Sequence, residues 1–318
     1  MRTTLLLPLL TLGSWVSAGD ARLNTLSAGH AATQCIENPD KPAPGTFAPD
    51  DPLVVKARRM AETGGLVTAA AFAAMVSLPQ PAVIELAEPS ARPLRGREIA
   101  EFAAQGYVLA GWLYHCSKCG RWHAKLAGGY AIAKDTVATA FHVMLPPDTM
   151  KEGEGNPIVV RGADELLPVT GVLLGEEKLD AVVLRLATAD LKPLALSGGA
   201  RAGDAAYCLS DPHGVRGYFS AGMVNRLYSL NPRTPYDVRS QRLNVSSDWA
   251  PGSSGSAVLD ECANVIGHVA RIQAVLSERQ GVAGGHESRP PSTYMTMHEA
   301  VPAKSLLGLI RKMNLGAR

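Results

Sequence analysis

The sequence predicts an all-β fold that ends in a C-terminal helix and is preceded by an irregular, partly helical N-terminal extension. Short apolar segments separated by Gly, Pro and Asp recur from residue 106 onwards, a pattern typical of an antiparallel barrel or sandwich. An apolar stripe over residues 302–313, with Lys and Arg near its end, predicts the closing helix. Residues 19–95 lack the strand pattern, but the amphipathic segment 52–62 predicts a helix.

The predicted strands share an apolar composition, and each is bounded by turn residues. They lie at residues 106–114, 129–133, 137–143, 157–161, 181–186, 205–209, 258–259 and 265–270. An Ala-rich stretch at residues 66–78 is shorter than the ~20 residues of a membrane span, so it predicts a buried helix.

The composition excludes several classes of protein. Hydrophobic residues make up 46% of the 318 residues and charged residues 19%, which excludes a wholly disordered chain. The 31 glycines have no triplet period, which excludes collagen. A net charge of +2 without a basic block gives no basis for binding nucleic acid electrostatically.

The first 18 residues have the pattern of a signal peptide. A short positive start precedes an apolar run from Leu5 to Val16, and Val16-Ser17-Ala18 resembles a signal-peptidase site. We therefore expect an exported protein, periplasmic or secreted, without stable membrane insertion after cleavage; the alternative is an uncleaved anchor. The mature chain divides into an extension of unknown role at residues 19–95, with a proline-rich linker at 37–52, and a main domain at 96–318.

Three local patterns follow one another in the order His, Asp, Ser. His142 ends an apolar strand, Asp180 opens another, and Ser254 lies in the sequence Gly252-Ser-Ser254-Gly255. A serine hydroxyl needs a base to remove its proton, and that base needs a partner to fix its tautomer. Gly252 lets the backbone turn so that its N–H and that of Ser254 can point at one oxyanion. Each pattern alone is common. It is their occurrence in this order on an exported, β-rich chain that indicates a serine nucleophile with its base.

The sequences around these residues resemble the three signatures of trypsin-like serine peptidases, nearer the bacterial HtrA/Do type than the digestive type. They are Thr139-Ala-Phe-His142-Val143, Asp180-Ala-Val-Val-Leu184 and Pro251-Gly-Ser-Ser254-Gly255. The segments Gly128-Gly129-Tyr-Ala-Ile132, Ser210-Asp-Pro212-His-Gly214 and Ser220-Ala-Gly222-Met-Val224 also resemble family segments. The resemblance covers residues 99–312, and too few residues follow for a PDZ domain, which takes at least ~50.

The resemblance implies a double six-stranded β-barrel with the active site in the cleft between the barrels. By match, His142 is the general base, Asp180 orients it, Ser254 is the nucleophile, and Gly252 and Ser254 donate to the oxyanion. Polypeptides are the implied partners, and no cofactor is implied. Asp248, six residues before Ser254, has the spacing of a residue that lines the primary pocket for Lys or Arg, although a turn cap beside Trp249 is the favoured interpretation.

Five cysteines lie after the predicted signal: Cys35, Cys116, Cys119, Cys208 and Cys262. Export permits disulfides, and the odd number leaves at least one thiol unpaired or paired with another chain. The family resemblance implies a bridge between Cys208 and Cys262. Cys116 and Cys119 lie at the predicted tip of a hairpin, where a local disulfide is favoured over a zinc site that includes His123.

Two other functions compete with that of an active endopeptidase. One is a catalytically silent trypsin-like binding module, and the presence of all three triad residue types argues against it. The other is a zinc or thiol protein built on Cys116-x-x-Cys119. A redox Cys-x-x-Cys normally opens a helix, whereas this one lies between two strand-like segments.

Overall fold

The computed structural model of the chain describes residues 45–188, 190–276 and 292–317. The predicted signal peptide, the first part of the extension and Cys35 lie outside these residues. Within the described ranges, no helix combines the length and the apolar character that crossing a bilayer requires.

The first sheet is a half-barrel of eight strands. The strands are β1 (Thr46–Phe47), β2 (Tyr107–Cys116), β3 (Trp122–Ala133), β4 (Thr136–Thr139), β5 (Met150–Arg161), β6 (Glu165–Leu167), β7 (Val169–Glu176) and β8 (Ala181–Leu186). Their order is β6-β5-β2-β3-β4-β8-β7, and β1 pairs with β3. The family resemblance implied six strands here, and five were located in the sequence. Strands β1, β6 and β7 were not, and β1 and β6 are short, with two and three residues.

The second sheet is a closed barrel of six strands. They are β9 (Ala205–Ser210), β10 (Tyr218–Ser229), β11 (Gln241–Val245), β12 (Ala257–Leu259), β13 (Val265–Leu276) and β14 (Thr293–Pro302). The order β10-β11-β14-β13-β12-β9 closes through the pairing of β9 with β10. One closed barrel, one half-barrel and a C-terminal helix confirm the predicted double-barrel fold class.

Four α-helices pack on the outside of the sheets: α1 (Pro52–Glu62), α2 (Ala69–Ser77), α3 (Gly96–Gly106) and α4 (Ala303–Gly316). Helix α1 has the predicted bounds because Asp51 accepts a hydrogen bond from the Leu53 N–H and a proline occupies the first turn, which are strong start signals. The helix predicted at 66–78 is α2, but it is not buried as predicted, since only Ala69 and Phe72 are buried. The predicted closing helix is α4.

Residues 45–95 of the extension contact both sheets. In α2, the ring of Phe72 meets Trp112 of β2 edge to face, with the ring centroids 5.6 Å apart. Further along, Ile84 exchanges two hydrogen bonds with the side chain of Asn314 in α4. The backbone of Ser90 likewise exchanges two with the side chain of Asn264, beside β13. The described part of the extension is therefore packed against the body of the protein.

Candidate active site

His142 and Asp180 form a close pair at the edge of the first sheet. The Nδ1 of His142 lies 2.9 Å from Oδ2 and 3.0 Å from Oδ1 of Asp180, and the backbone N–H of His142 also donates to Oδ1 at 3.0 Å. His142 does not end a strand as predicted, because β4 stops at Thr139 and a 3₁₀ turn over Phe141–Met144 carries the histidine. This turn lets the backbone and the ring of one residue reach the same carboxylate.

Asp180 lies in the turn before β8 and has a left-handed backbone, with a φ of 66°. This conformation is unusual for a residue other than glycine. Burial alone would raise the pKa of Asp180, but the hydrogen bonds and charge of His142 outweigh burial and hold that pKa below its ordinary value. The carboxylate therefore stays ionised beside the imidazole.

Ser254 lies on the loop between β11 and β12 in the second barrel, and this loop packs onto β3 of the first sheet. The N–H of Gly255 donates to the carbonyl of Val269, and the N–H of Val269 donates to the carbonyl of Ser256. Gly255 has a φ of 78°, and a Cβ there would lie 2.1 Å from Thr139 Oγ1 and 2.4 Å from the carbonyl oxygen of Gly128. Only glycine fits this contact between the two sheets.

The backbone around Ser254 offers two hydrogen-bond donors. Gly252 has a φ of 102°, and a Cβ there would lie 2.8 Å from the carbonyl oxygen of Asp211. The carbonyl of its neighbour Pro251 accepts a hydrogen bond from the His213 N–H at 2.8 Å. The segment 210–214 therefore contacts the turn at Pro251 and Gly252 and stabilises it. Among the described residues, the N–H groups of Gly252 and Ser254 have no hydrogen-bond acceptor. Unsatisfied N–H groups beside a serine hydroxyl are suited to bind an oxyanion.

A cleft of about 100 Å³ contains both His142 and Ser254. Its remaining walls come from the first sheet and the turn after β4: Trp112, Lys125, Leu126, Ala127, Val143, Leu145 and Pro147. The structure therefore brings the predicted base and the predicted nucleophile to one cleft between the sheets, with Asp180 in contact with the base.

Comparison with known families agrees with this geometry. Residues 127–267 match the family model of the trypsin-like peptidase domain. This match fits a trypsin-like serine peptidase. The match includes the positions of His142, Asp180 and Ser254, and it confirms the predicted family and the predicted enzyme class, serine endopeptidase.

Solved structures with similar folds were also found, each at low sequence identity. An inactive mutant form of Rv3671c from M. tuberculosis H37Rv is 17% identical, covers 73% of this chain and 98% of its own, and has a TM-score of 0.48. A serine endoprotease from Yersinia pestis is 15% identical, with 71% and 69% covered and a TM-score of 0.47. The HtrA-type protease AlgW with a decapeptide is 17% identical, with 70% and 69% covered and a TM-score of 0.49. No curated protein matches the sequence.

The side chain of Asp248 lies at the surface of the second barrel. It is 67% exposed, and a carboxylate oxygen lies 3.3 Å from Nε2 of His298. The ring of His298 meets Trp249 edge to face. Asp248 thus lies at the surface beside Trp249, which favours the predicted turn position, and a role in the primary pocket stays a prediction.

The predicted disulfide between Cys208 and Cys262 is also wrong, since both thiols are free. Cys208 is fully buried on β9 and is paired with Val258 of β12, whereas Cys262 lies in the turn beyond the end of β12. Strands β9 and β12 are neighbours as expected, but the two cysteines occupy different levels of the barrel. Burial raises the pKa of Cys208 to about 12, so this thiol behaves as a small apolar side chain.

The hairpin between β2 and β3 brings Cys116, Cys119 and His123 together, with one potential ligand atom from each lying within 4.8 Å of the others. Cys116 is disulfide-bonded and Cys119 is free, so the predicted bridge between them is wrong. Cys119 Sγ instead lies 3.1 Å from Nε2 of His123. A disulfide sulfur is not a thiolate ligand, so the alternative zinc set would need Cys116 in its reduced form.

His268 is a residue of the site that sequence reasoning missed. It is almost fully buried on β13, with its Nε2 lying 2.9 Å from the carbonyl oxygen of Asp180 and its Nδ1 lying 3.3 Å from the hydroxyl of Tyr130. The signal available in the sequence was a single histidine inside the apolar strand 265–270. By itself that pattern is typical of many core positions.

Proposed function

We propose that this protein is an exported serine endopeptidase that hydrolyses peptide bonds through Ser254, His142 and Asp180. The observation that carries the proposal is the orientation of His142. Asp180 holds its Nδ1 and backbone N–H, which leaves Nε2 on the side of the ring that faces away from the carboxylate. His142 and Ser254 line the same cleft.

In the first half of the reaction, Nε2 of His142 takes the proton of Ser254 as the hydroxyl oxygen attacks the carbonyl carbon of the substrate. The carbonyl oxygen becomes negatively charged and accepts hydrogen bonds from the N–H groups of Gly252 and Ser254. The ionised Asp180 stabilises the imidazolium and keeps the tautomer that has its proton on Nδ1.

In the second half, His142 gives its proton to the leaving amine, the peptide bond breaks, and an acyl-enzyme remains on Ser254. Water then enters the cleft, His142 removes its proton, and the resulting attack releases the acid and restores the serine hydroxyl. No group beyond these side chains and backbone donors is required for either half.

Export is supported by two features. The first 18 residues have the signal-peptide pattern, and Cys116 is disulfide-bonded, which is typical of proteins in oxidising compartments. We infer a periplasmic or secreted location, with polypeptides as substrates.

The test is labelling of the full chain with a fluorophosphonate together with hydrolysis of a mixed peptide library. Ser254→Ala and His142→Ala should abolish both signals, and Asp180→Asn should lower turnover by a factor of order 10⁴ because the wrong tautomer is favoured. Ser253→Ala is the matched control on the same loop. Its hydroxyl is buried without a partner, so labelling should persist.

Turnover in Ser254→Ala equal to that of the unmodified protein would refute the role of Ser254. A folded wild-type protein that neither labels nor cleaves any peptide would instead favour the silent binding module.

A further inference from the structure

His268 lies where the two sheets meet, directly behind the Asp180 turn. Its strand, β13, belongs to the second barrel, where His268 is paired with Ala257 of β12 and Val301 of β14. Its imidazole crosses to the first sheet and meets the Asp180 carbonyl at 2.9 Å and the Tyr130 hydroxyl at 3.3 Å. One side chain of the barrel therefore contacts the triad turn and strand β3 of the half-barrel.

The hydrogen-bond partners fix the tautomer of His268. A carbonyl oxygen can only accept, so Nε2 must carry a proton and donate it to Asp180. The unprotonated Nδ1 then accepts from the hydroxyl of Tyr130. Neutral imidazole satisfies both contacts, whereas a protonated ring would lose the acceptor that faces Tyr130.

Burial keeps His268 neutral. Burial lowers its pKa to about 4, and Arg242 and His142 add to that effect, while the carbonyl and carboxylate of Asp180 oppose it. These are the charged and titratable groups that face the ring, together with the neutral Tyr130 hydroxyl. His268 therefore stays neutral near neutral pH.

The residue after His268 is hydrogen-bonded to the loop that carries Ser254. Val269 accepts from the Gly255 N–H at 2.8 Å and donates to the Ser256 carbonyl at 2.9 Å. The dipeptide His268-Val269 therefore holds the Asp180 turn through its side chain and the Ser254 loop through its backbone. Asp180 needs such support, because a left-handed backbone is strained for a residue other than glycine and persists only where the surroundings enforce it.

We propose that His268 is a positioning residue that holds the Asp180 turn of the first sheet in register with the Ser254 loop of the second barrel. This inference rests on the proposed function, and it adds a residue that touches neither substrate nor reacting atoms. Loss of the Nε2–H contact would let the Asp180 peptide relax, so that His142 would be less well oriented toward Ser254.

The test compares His268→Leu with His268→Gln. Leucine removes the donor, whereas the glutamine amide can place an N–H near the position of Nε2. We expect His268→Leu to lower kcat at least about tenfold with KM within about twofold, since displacements of ~1 Å in a catalytic group cost up to ~10²-fold. His268→Gln should recover kcat to within about threefold of wild type.

A second readout separates positioning from stability. The low-field proton NMR signal of the His142 Nδ1–H reports its hydrogen bond to Asp180 without requiring turnover, so it can also be recorded in the Ser254→Ala background. His268→Leu should weaken or shift this signal, and His268→Gln should restore it. His123→Leu is the matched control. Within the described part of the chain, His123 is another buried histidine whose pKa burial lowers, and it makes no hydrogen bond or ion pair with Asp180.

Several results would overturn the proposal. They are an unchanged kcat in folded His268→Leu, an equal loss of the NMR signal in His123→Leu, and equal kcat values in the Leu and Gln variants. If His268→Leu fails to fold, His268→Gln and Tyr130→Phe provide the test. On this proposal both variants fold and keep an N–H donor to the Asp180 carbonyl, so both must keep the NMR signal of the His142 Nδ1–H. A wild-type protein without hydrolysis but with the signal would refute the proposed function and leave the NMR comparison as the test of His268.

Discussion

Gly128 offers the sharpest test of how the Ser254 loop docks on the first sheet. A Cβ added there would lie 1.9 Å from Ser256 Oγ, 2.8 Å from Ser256 N and 2.9 Å from Ser256 Cα. Two of these atoms are backbone, so a change of rotamer cannot relieve the clash. Because Gly128 lies outside the left-handed region, Gly128→Ala perturbs the packing and not the backbone conformation of the strand.

The displacement can be estimated from the contact distances. Non-bonded carbon contacts are most favourable at about 3.5–4.0 Å, so Ser256 must retreat by roughly 0.6 Å or more. Ser254 lies two residues away on the same loop and should move with it. A shift of this size should lower kcat/KM by about 10- to 100-fold, and overpacking should lower the free energy of unfolding by about 1–3 kcal/mol.

The assay is the rate of fluorophosphonate labelling and kcat/KM, with urea unfolding measured in parallel. Gly171→Ala is the matched control: this strand glycine of the same sheet would place its Cβ 3.9 Å from the nearest atom, Cβ of Arg185, which is ordinary contact. The control should keep wild-type labelling. Wild-type labelling in Gly128→Ala would refute the inference that the contact between Gly128 and Ser256 sets the position of the nucleophile.

Three further outcomes follow from buried or half-buried groups. Folding lowers the pKa of His268 from 6.5 to about 4, so on acidification the unfolded chain binds a proton at this residue before the folded protein does. The free energy of unfolding should therefore be at its maximum above pH 6.5 and decline by roughly 3 kcal/mol between pH 6.5 and pH 4. His268→Leu should flatten that profile, and an unchanged profile in the variant would contradict the assignment. Arg271→Met should cost about 3 kcal/mol in urea unfolding, because Arg271 Nε donates to the fully buried Glu299; a loss below about 1 kcal/mol would show that Glu299 does not depend on it. In alkylation mapped by mass spectrometry, half-buried Cys119 and Cys262 should react in the native protein before buried Cys208, and prior reaction of Cys208 would contradict the packing of β9.

The double barrel could be predicted because its strands are apolar and their turns are rich in glycine, proline and aspartate. Strand β8 and helix α1 have the predicted bounds, and both begin at unambiguous signals, Asp180 and Asp51-Pro52. Strands β1, β6 and β7 of the first sheet were not located, and neither were strands β10, β11 and β14 of the second barrel. The exposed faces of these last three strands carry polar residues, as in Asn225, Arg226 and Gln241, so neither an apolar run nor a clear alternation marks them.

The residues of the candidate site were predictable from short motifs, but the residues that hold them in position were not. His142, Asp180 and Ser254 each lie in a recognisable local sequence, whereas His268 acquires its role only through a contact 88 residues away. Cysteine pairing failed for the same reason. Two residues on neighbouring strands need not lie at the same height along the barrel. Cys208 faces the barrel core, whereas Cys262 follows the end of β12.

The division of the site between two sheets explains why glycines and one histidine matter as much as the groups that react. His142 and Asp180 are held to each other by three contacts within the first sheet, so their mutual geometry is local. The position of Ser254 relative to them depends on packing across the sheets, where Gly128 and Gly255 allow the loop to approach β3 and His268 joins β13 to the Asp180 turn. Substitutions at Gly128 or Gly255 should therefore change the distance between base and nucleophile while leaving the His142–Asp180 pair intact, whereas loss of His268 should perturb that pair as well.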